Sequence, residues 1–288
     1  MDGYQAALDV LPERIRSAAA ALGVSERQVA MEFRLRCGYA PTVLLPTGER
    51  RLADGAVQPR ELRRILELSS GASPYAVAEN LRAGFITADR GVRIGFCGET
   101  VATETGIRTI RELSSAAVRI PRELRGCADG LCTRPFVSVL ILSPPGIGKT
   151  TLLRDMIRQY SDSGLRVALA DERGEVAALC HGEPGYDVGR CTDVLSGGRK
   201  SETAVMLLRS MGPDILAMDE ITAQPDIDAC EMVSHCGVGI LATAHAGSIR
   251  ELQERPLYRG LLSRRIFCRA ILISKIGCRR IYREEKLC

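Results

Sequence analysis

Tryptophan is absent from the 288-residue chain, and aromatic residues make up only 4% of it. A core must therefore be filled by Leu, Ile, Val, Ala and Met. Long apolar runs are also missing. The most continuous one, residues 137–142, falls far short of the roughly 20 residues needed to cross a bilayer. The opening Met1-Asp2-Gly3-Tyr4 lacks the basic start and apolar stretch of a secretory signal. These absences lead us to expect a cytoplasmic protein. Strong charge of either sign is lacking too, since the net +4 does not by itself demand nucleic acid or a membrane as partner.

Cysteine is plentiful but unorganised. Among the eleven there is no C-x-x-C pair, and the neighbours Cys180-His181 and His235-Cys236 do not have a usual zinc-ligand spacing. An odd count in a cytosolic chain favours free thiols, several of them small core residues. What remains is an ordinary globular composition, 45% hydrophobic and 26% charged, long enough for about two domains.

The sequence changes character near residue 134, which suggests an α+β domain over 1–133 and a second domain over 134–288. In the first, residues 8–22 and 60–68 carry apolar side chains at helical spacing, with Pro59 suited to a helix start. Residues 32–36 alternate with period two, and Leu44-Leu45 suggests a returning strand before a turn at Thr47-Gly48. Ser73-Pro74 reads as the start of a further helix, and residues 85–87 and 92–97 as strands around the turn Asp89-Arg90-Gly91. No catalytic motif is visible there.

In the second domain, strand patterns over 136–142, 165–170, 215–218 and 239–242 alternate with helical patterns over 150–160, 202–210 and 226–235. That order implies an α/β fold with a parallel-rich sheet covered on both faces. Between the first strand and helix lies Ser143-Pro144-Pro145-Gly146-Ile147-Gly148-Lys149-Thr150, followed by Thr151. It fits the Walker A phosphate loop at every position but the first, where glycine is usual. Backbone N–H groups of 146–150 can wrap phosphates at the positive end of the helix, while Pro144 and Pro145 have no N–H to give. Lys149 would reach the β- and γ-phosphates of ATP, Thr150 would ligate Mg²⁺, and Thr151 would contact the α-phosphate.

Ile215-Leu216-Ala217-Met218 is an apolar strand ending in Asp219-Glu220, the form of a Walker B element. Asp219 would hold the Mg²⁺ shell, and Glu220 would orient and deprotonate the attacking water. A second acidic strand end, Asp171-Glu172-Arg173-Gly174-Glu175, would face the same crevice. There Glu172 is a candidate for supporting the nucleophile, and Asp171 reads equally as site acid or helix cap. His245, ending the fourth strand, could sense the γ-phosphate or be a buried, backbone-satisfied histidine. Arg209 and Arg190 are candidates for an arginine delivered to the γ-phosphate, which is worth about 10³–10⁵ in rate. Arg154, one turn into the loop helix, reads as structural.

Taken together, the stretches SPPGIGKTTLLR (143–154), DERGE (171–175), PGYDVGR (184–190), LLRSMGPDILAMDE (207–220) and LATAHA (241–246) resemble the stage III sporulation AA family, related to type II and type IV secretion ATPases. Arg34-Leu35-Arg36 and residues 81–87 add to the likeness. The resemblance implies a RecA/AAA+-like motor domain behind a smaller secretion-ATPase-like N-terminal domain. It also implies a homohexamer partnered with membrane-embedded channel proteins, peripheral to the membrane on the mother-cell side. By position, Glu172 matches the acidic-box glutamate and His245 the histidine-box residue of that group. Two other functions compete. Arginines 34, 36, 50, 51, 63 and 64 could form a basic face for nucleic acid, but no interleaved aromatics accompany them. A nucleotide-gated scaffold with negligible turnover would have little need of Glu220.

Overall fold

In the computed structural model, which describes residues 3–70, 81, 84–103, 106–180, 182–277 and 279–287, the chain divides into two units. One comprises Met1–Glu123 with Cys180–Gly185, the other Leu124–Leu179 with Tyr186–Cys288.

The first unit is built on a six-stranded antiparallel sheet. Its strands are β1 (Glu32–Arg36), β2 (Thr42–Leu45), β3 (Gly48–Arg51), β4 (Phe85–Ala88), β5 (Val92–Thr103) and β6 (Gly106–Arg119), in the order β3-β2-β1-β6-β5-β4. The period-two alternation of β1 buries Phe33 and Leu35 against Val43, Ile94 and Val118. Helix Pro59–Ser69 starts at its proline, and the Glu61 carboxylate reaches back to accept the Gln58 N–H at 2.9 Å. Its Leu62 and Ile65 complete the core.

The apolar spacing over 8–22 does not make one helix. The chain forms Gly3–Asp9 and Glu13–Ala20, because Pro12 takes an extended backbone (φ −60°, ψ 147°) and caps the second helix instead of continuing the first. The helix start expected at Ser73-Pro74 lies outside the described residues.

The six arginines considered as a basic face are each within reach of a carboxylate. Arg36 pairs with Glu49 at 2.8 Å, Arg51 with Asp54 at 2.9 Å, Arg64 with Glu67 at 3.0 Å and Arg63 with Glu112 at 3.5 Å. Arg34 pairs with Glu32, and Arg50 with Glu26. Their positive charge is neutralised locally.

In the second unit the strands are β7 (Val139–Ser143), β8 (Val167–Asp171), β11 (Thr192–Ser196), β12 (Ile215–Met218), β13 (Gly239–His245), β14 (Arg269–Ile276) and β15 (Arg279–Lys286). Residues Leu179–Cys180 (β9) and Glu183–Pro184 (β10) form a separate two-stranded ribbon. The seven-stranded sheet runs β11-β8-β12-β13-β7-β14-β15, parallel throughout except for the antiparallel β15. The fold is α/β with a parallel-rich sheet, as the strand–helix alternation implied. Because successive side chains point to opposite faces, each strand feeds two cores. Val139, Ile141, Leu169 and Leu241 pack on helix Lys149–Asp162, through Leu153, Met156 and Tyr160. Leu140, Leu142, Met218 and Ile240 pack on the other side, against helices Lys200–Met211 and Gln224–His235.

Candidate functional site

Strand register brings the candidate residues together. The loop after β7 opens the site, and the described backbone tolerates the serine that stands where glycine is usual. Ser143 is the fully buried last residue of β7 and is not among the positive-φ residues, so it needs none of glycine's freedom. Gly146 and Gly148 do need it, at φ +74° and +115°. From this loop Pro145, Gly146, Gly148, Lys149, Thr150 and Thr151 line a cavity of about 390 Å³, whereas Ser143, Pro144 and Ile147 are not part of its lining.

β13 pairs with β7 so that His245 stands opposite Ser143. Lys149 Nζ therefore meets both: it donates to the Ser143 carbonyl at 3.2 Å and to His245 Nδ1 at 2.6 Å. With Nδ1 accepting, the ring proton belongs on Nε2, which lies 2.9 Å from Glu220 Oε1. A chain of donors thus runs from ammonium to imidazole to carboxylate. Burial lowers the pKa of the Lys149 ammonium, against the pull of Glu220 and Asp219.

β12 pairs with β13 so that Met218 faces Ala242. One residue further on, Asp219 meets Thr243. The buried Thr243 hydroxyl donates to Asp219 Oδ1 at 3.0 Å and accepts the Glu220 N–H at 2.9 Å. Thr150 Oγ1 lies 3.3 Å from the other oxygen, Asp219 Oδ2. Burial pushes the Asp219 carboxyl upward, the pull of the Thr243 hydroxyl notwithstanding. Glu220 itself has φ +31°, a conformation that costs a non-glycine residue on the order of 1–3 kcal/mol and persists where its surroundings enforce it. Its N–H donates to Thr243 Oγ1 and to Asp219 Oδ1, at 2.9 and 3.0 Å.

The donor set suits the phosphates of a nucleotide and a divalent cation. A turn with two left-handed glycines, a buried ammonium, and a hydroxyl and carboxylate in contact are the groups such a ligand would engage. Thr150 and Asp219 would hold the cation.

The remaining candidates lie elsewhere. Glu172 is outside the cavity lining, its Oε2 held at 2.9 Å by the buried Lys200 Nζ. Arg190 and Arg209 are exposed, and neither lines the cavity. Asp171, open between site acid and cap, is buried, and its carboxylate accepts the N–H groups of Glu175, Val176 and Ala177 at 2.9–3.2 Å. It shapes the turn that carries Arg173 and Glu175 into the cavity lining. Arg154 binds the Val176 and Glu175 carbonyls at 2.6 and 2.7 Å and is buried, a structural placement.

Four lining or supporting residues were given no role from the sequence: Thr243, Arg173, Glu175 and Arg280. Thr243 was legible in principle, as the polar residue in an otherwise apolar strand end. Arg280 belongs to a hairpin far along the chain and carried no signal.

Two solved structures share this architecture. The pilus retraction motor PilT with bound ADP superposes with a TM-score of 0.59 at 17% identity, over 90% of this chain and 80% of its own. The ATPase DotB of Legionella pneumophila gives 0.57 at 16% identity, over 89% and 76%. The chain has the fold of these two proteins. Residues 2–283 match the family described as sporulation stage III, protein AA, and the chain is 32% identical over 276 residues to stage III sporulation protein AA of Bacillus subtilis (strain 168), covering 93% of this chain and 90% of the relative. The chain belongs to the sporulation stage III protein AA family.

Proposed function

We propose that this chain is a Mg²⁺-dependent ATPase that works as an oligomer, a homohexamer by its resemblance to the secretion ATPases. It powers assembly of, or transport through, a membrane-embedded sporulation channel between mother cell and forespore, acting from the cytoplasmic face of the mother cell. What carries the reading is the convergence of Lys149, Thr150, Asp219, Glu220 and His245 on one cavity at the carboxyl ends of parallel strands. Membership of a sporulation family and the fold shared with a pilus motor support it.

In this reading Lys149 and the loop N–H groups bind the terminal phosphates. Mg²⁺, when bound, neutralises charge on the phosphate oxygens. Glu220 aligns a water and takes its proton as the water oxygen bonds to the γ-phosphorus. The bond to the bridging oxygen then breaks, leaving ADP and phosphate. His245 holds the Glu220 carboxylate at 2.9 Å in the orientation that step needs. In this reading the exposed Arg190 and Arg209 serve a neighbouring protomer's site. Glu172 would have to leave Lys200 to join its own.

The test is a pair of variants. Lys149→Ala loses Mg-ATP binding, whereas Glu220→Gln binds but does not hydrolyse. Turnover per protomer rises with protein concentration. Full turnover by a dilute monomer refutes the shared site, and equal, near-zero turnover in wild type and Glu220→Gln points to a nucleotide-gated scaffold.

A further inference from the structure

β14 pairs with β7 only as far as Leu272 opposite Leu142, then runs on to Ile276 before the chain returns as β15 from Arg279. The hairpin therefore overhangs the carboxyl end of the parallel sheet, at the level where the phosphate loop leaves β7. Arg280, opposite Lys275, sits on that overhang and lines the cavity.

Its approach to the loop is close. Nε donates to the Ile147 carbonyl at 2.8 Å. A Cβ added at Gly148 would lie 2.8 Å from Nε and 3.0 Å from both Cζ and Nη2. The second loop glycine is required by its φ, and a Cβ there would also push the guanidinium aside.

The other cations of the cavity are already engaged. Lys149 is held by Ser143 and His245, and Arg173 leans on Glu220 at 3.9 Å. Among the described residues no carboxylate pairs with Arg280, and only its Nε is engaged, which leaves the terminal amino groups. A guanidinium is the side chain best matched to phosphate, because its planar fork offers parallel N–H donors.

We propose that Arg280 is a second phosphate-binding cation of this site: its terminal amino groups bind the terminal phosphates of a nucleoside triphosphate while Nε keeps its hold on Ile147. The inference rests on the nucleotide reading of the cavity and adds a residue to it from outside the loop and its helix. Because that residue arrives on the overhang, a bound triphosphate ties the β14–β15 hairpin to the phosphate loop.

A purely structural arginine would only fasten hairpin to loop, and the variants separate the two roles. Arg280→Gln keeps an N–H donor for Ile147 and loses the charge; Arg280→Lys keeps the charge and loses the fork. Binding of the β,γ-imido analogue of ATP with Mg²⁺, and of inorganic tripolyphosphate, is measured by calorimetry, alongside nucleotide-free melting temperatures. We expect Arg280→Gln to melt like wild type and to bind both probes roughly ten- to a hundredfold more weakly, the worth of charge-assisted hydrogen bonds. Arg280→Lys recovers part of the loss, and this recovery decides the matter if the glutamine variant is unstable. Wild-type affinity in Arg280→Gln, or a lysine variant no better than the glutamine, overturns the proposal. If binding is lost in Lys149→Ala but intact in Arg280→Gln, Arg280 alone is wrong. If the wild type binds neither probe, the nucleotide reading falls and the role of Arg280 with it.

Discussion

His245 Nε2 stands 2.9 Å from Glu220 Oε1, and the same ring accepts a hydrogen bond from Lys149 at Nδ1. The imidazole therefore links the cation that would bind phosphate to the carboxylate that would activate water. His245→Ala should lower kcat for ATP by about 10² or more, the range seen when acid–base machinery is misaligned. KM should change much less. A parallel rise in KM would mean that the histidine acts through Lys149 instead. His245→Gln, whose amide can both accept and donate, should restore part of the rate.

Thr243 supports the opposite side of the same acids. Its hydroxyl lies between Asp219 Oδ1 and the N–H of Glu220, in a position with no solvent exposure. Thr243→Val keeps the shape and removes both bonds, leaving the Glu220 N–H and Asp219 Oδ1 only each other, at 3.0 Å, at a cost of about 1 kcal/mol. Chemical denaturation should register that loss. Half-maximal turnover should also shift to higher Mg²⁺, because Asp219 loses one of the hydrogen bonds that orient it. An unchanged magnesium requirement would confine Thr243 to stability.

Much of this site was legible because its signals are local. The loop at 143–151 and the acids at 219–220 each declare themselves within a few residues, and the parallel sheet follows from the strand–helix alternation around them. Register was not legible. No local pattern says that His245 lies opposite Ser143, or that the overhang of β14 brings Arg280 to Ile147. The same limit applied to Glu172, whose strand-end position suggested the crevice. Lys200, on a helix nearly thirty residues later, holds it elsewhere. In the first unit the helical spacing over 8–22 was real, but Pro12 divides it, a local veto that the apolar pattern does not show.

The cysteines should sort by burial. Cys97 and Cys236 are exposed, whereas Cys230 is buried in the core. Burial pushes the Cys230 thiol up to about 12, and those of Cys127 and Cys132 to about 11. The thiolate is the reactive form, so these three should resist alkylation at pH 8 until the protein unfolds. Peptide mapping after iodoacetamide treatment, with and without denaturant, would assign each site. Rapid native labelling of Cys230 would contradict its place on the buried face of helix Gln224–His235.

Glu49 offers a pH test of the first unit. Its carboxylate accepts two hydrogen bonds from Arg36, at 2.8 and 3.0 Å, and one from Thr42 at 2.9 Å, which together hold its pKa down to about 2. A carboxyl depressed in the folded state binds its proton more readily when unfolded. Its contribution is therefore complete above the unfolded value near 4.5 and is lost as pH falls toward about 2. The pair is largely solvated, which limits the effect to about 1 kcal/mol or less. Glu49→Gln should thus melt slightly below wild type at pH 7, and the gap should close between pH 4.5 and 2. A gap that stays constant across that window would show that the Arg36 contact contributes nothing through charge.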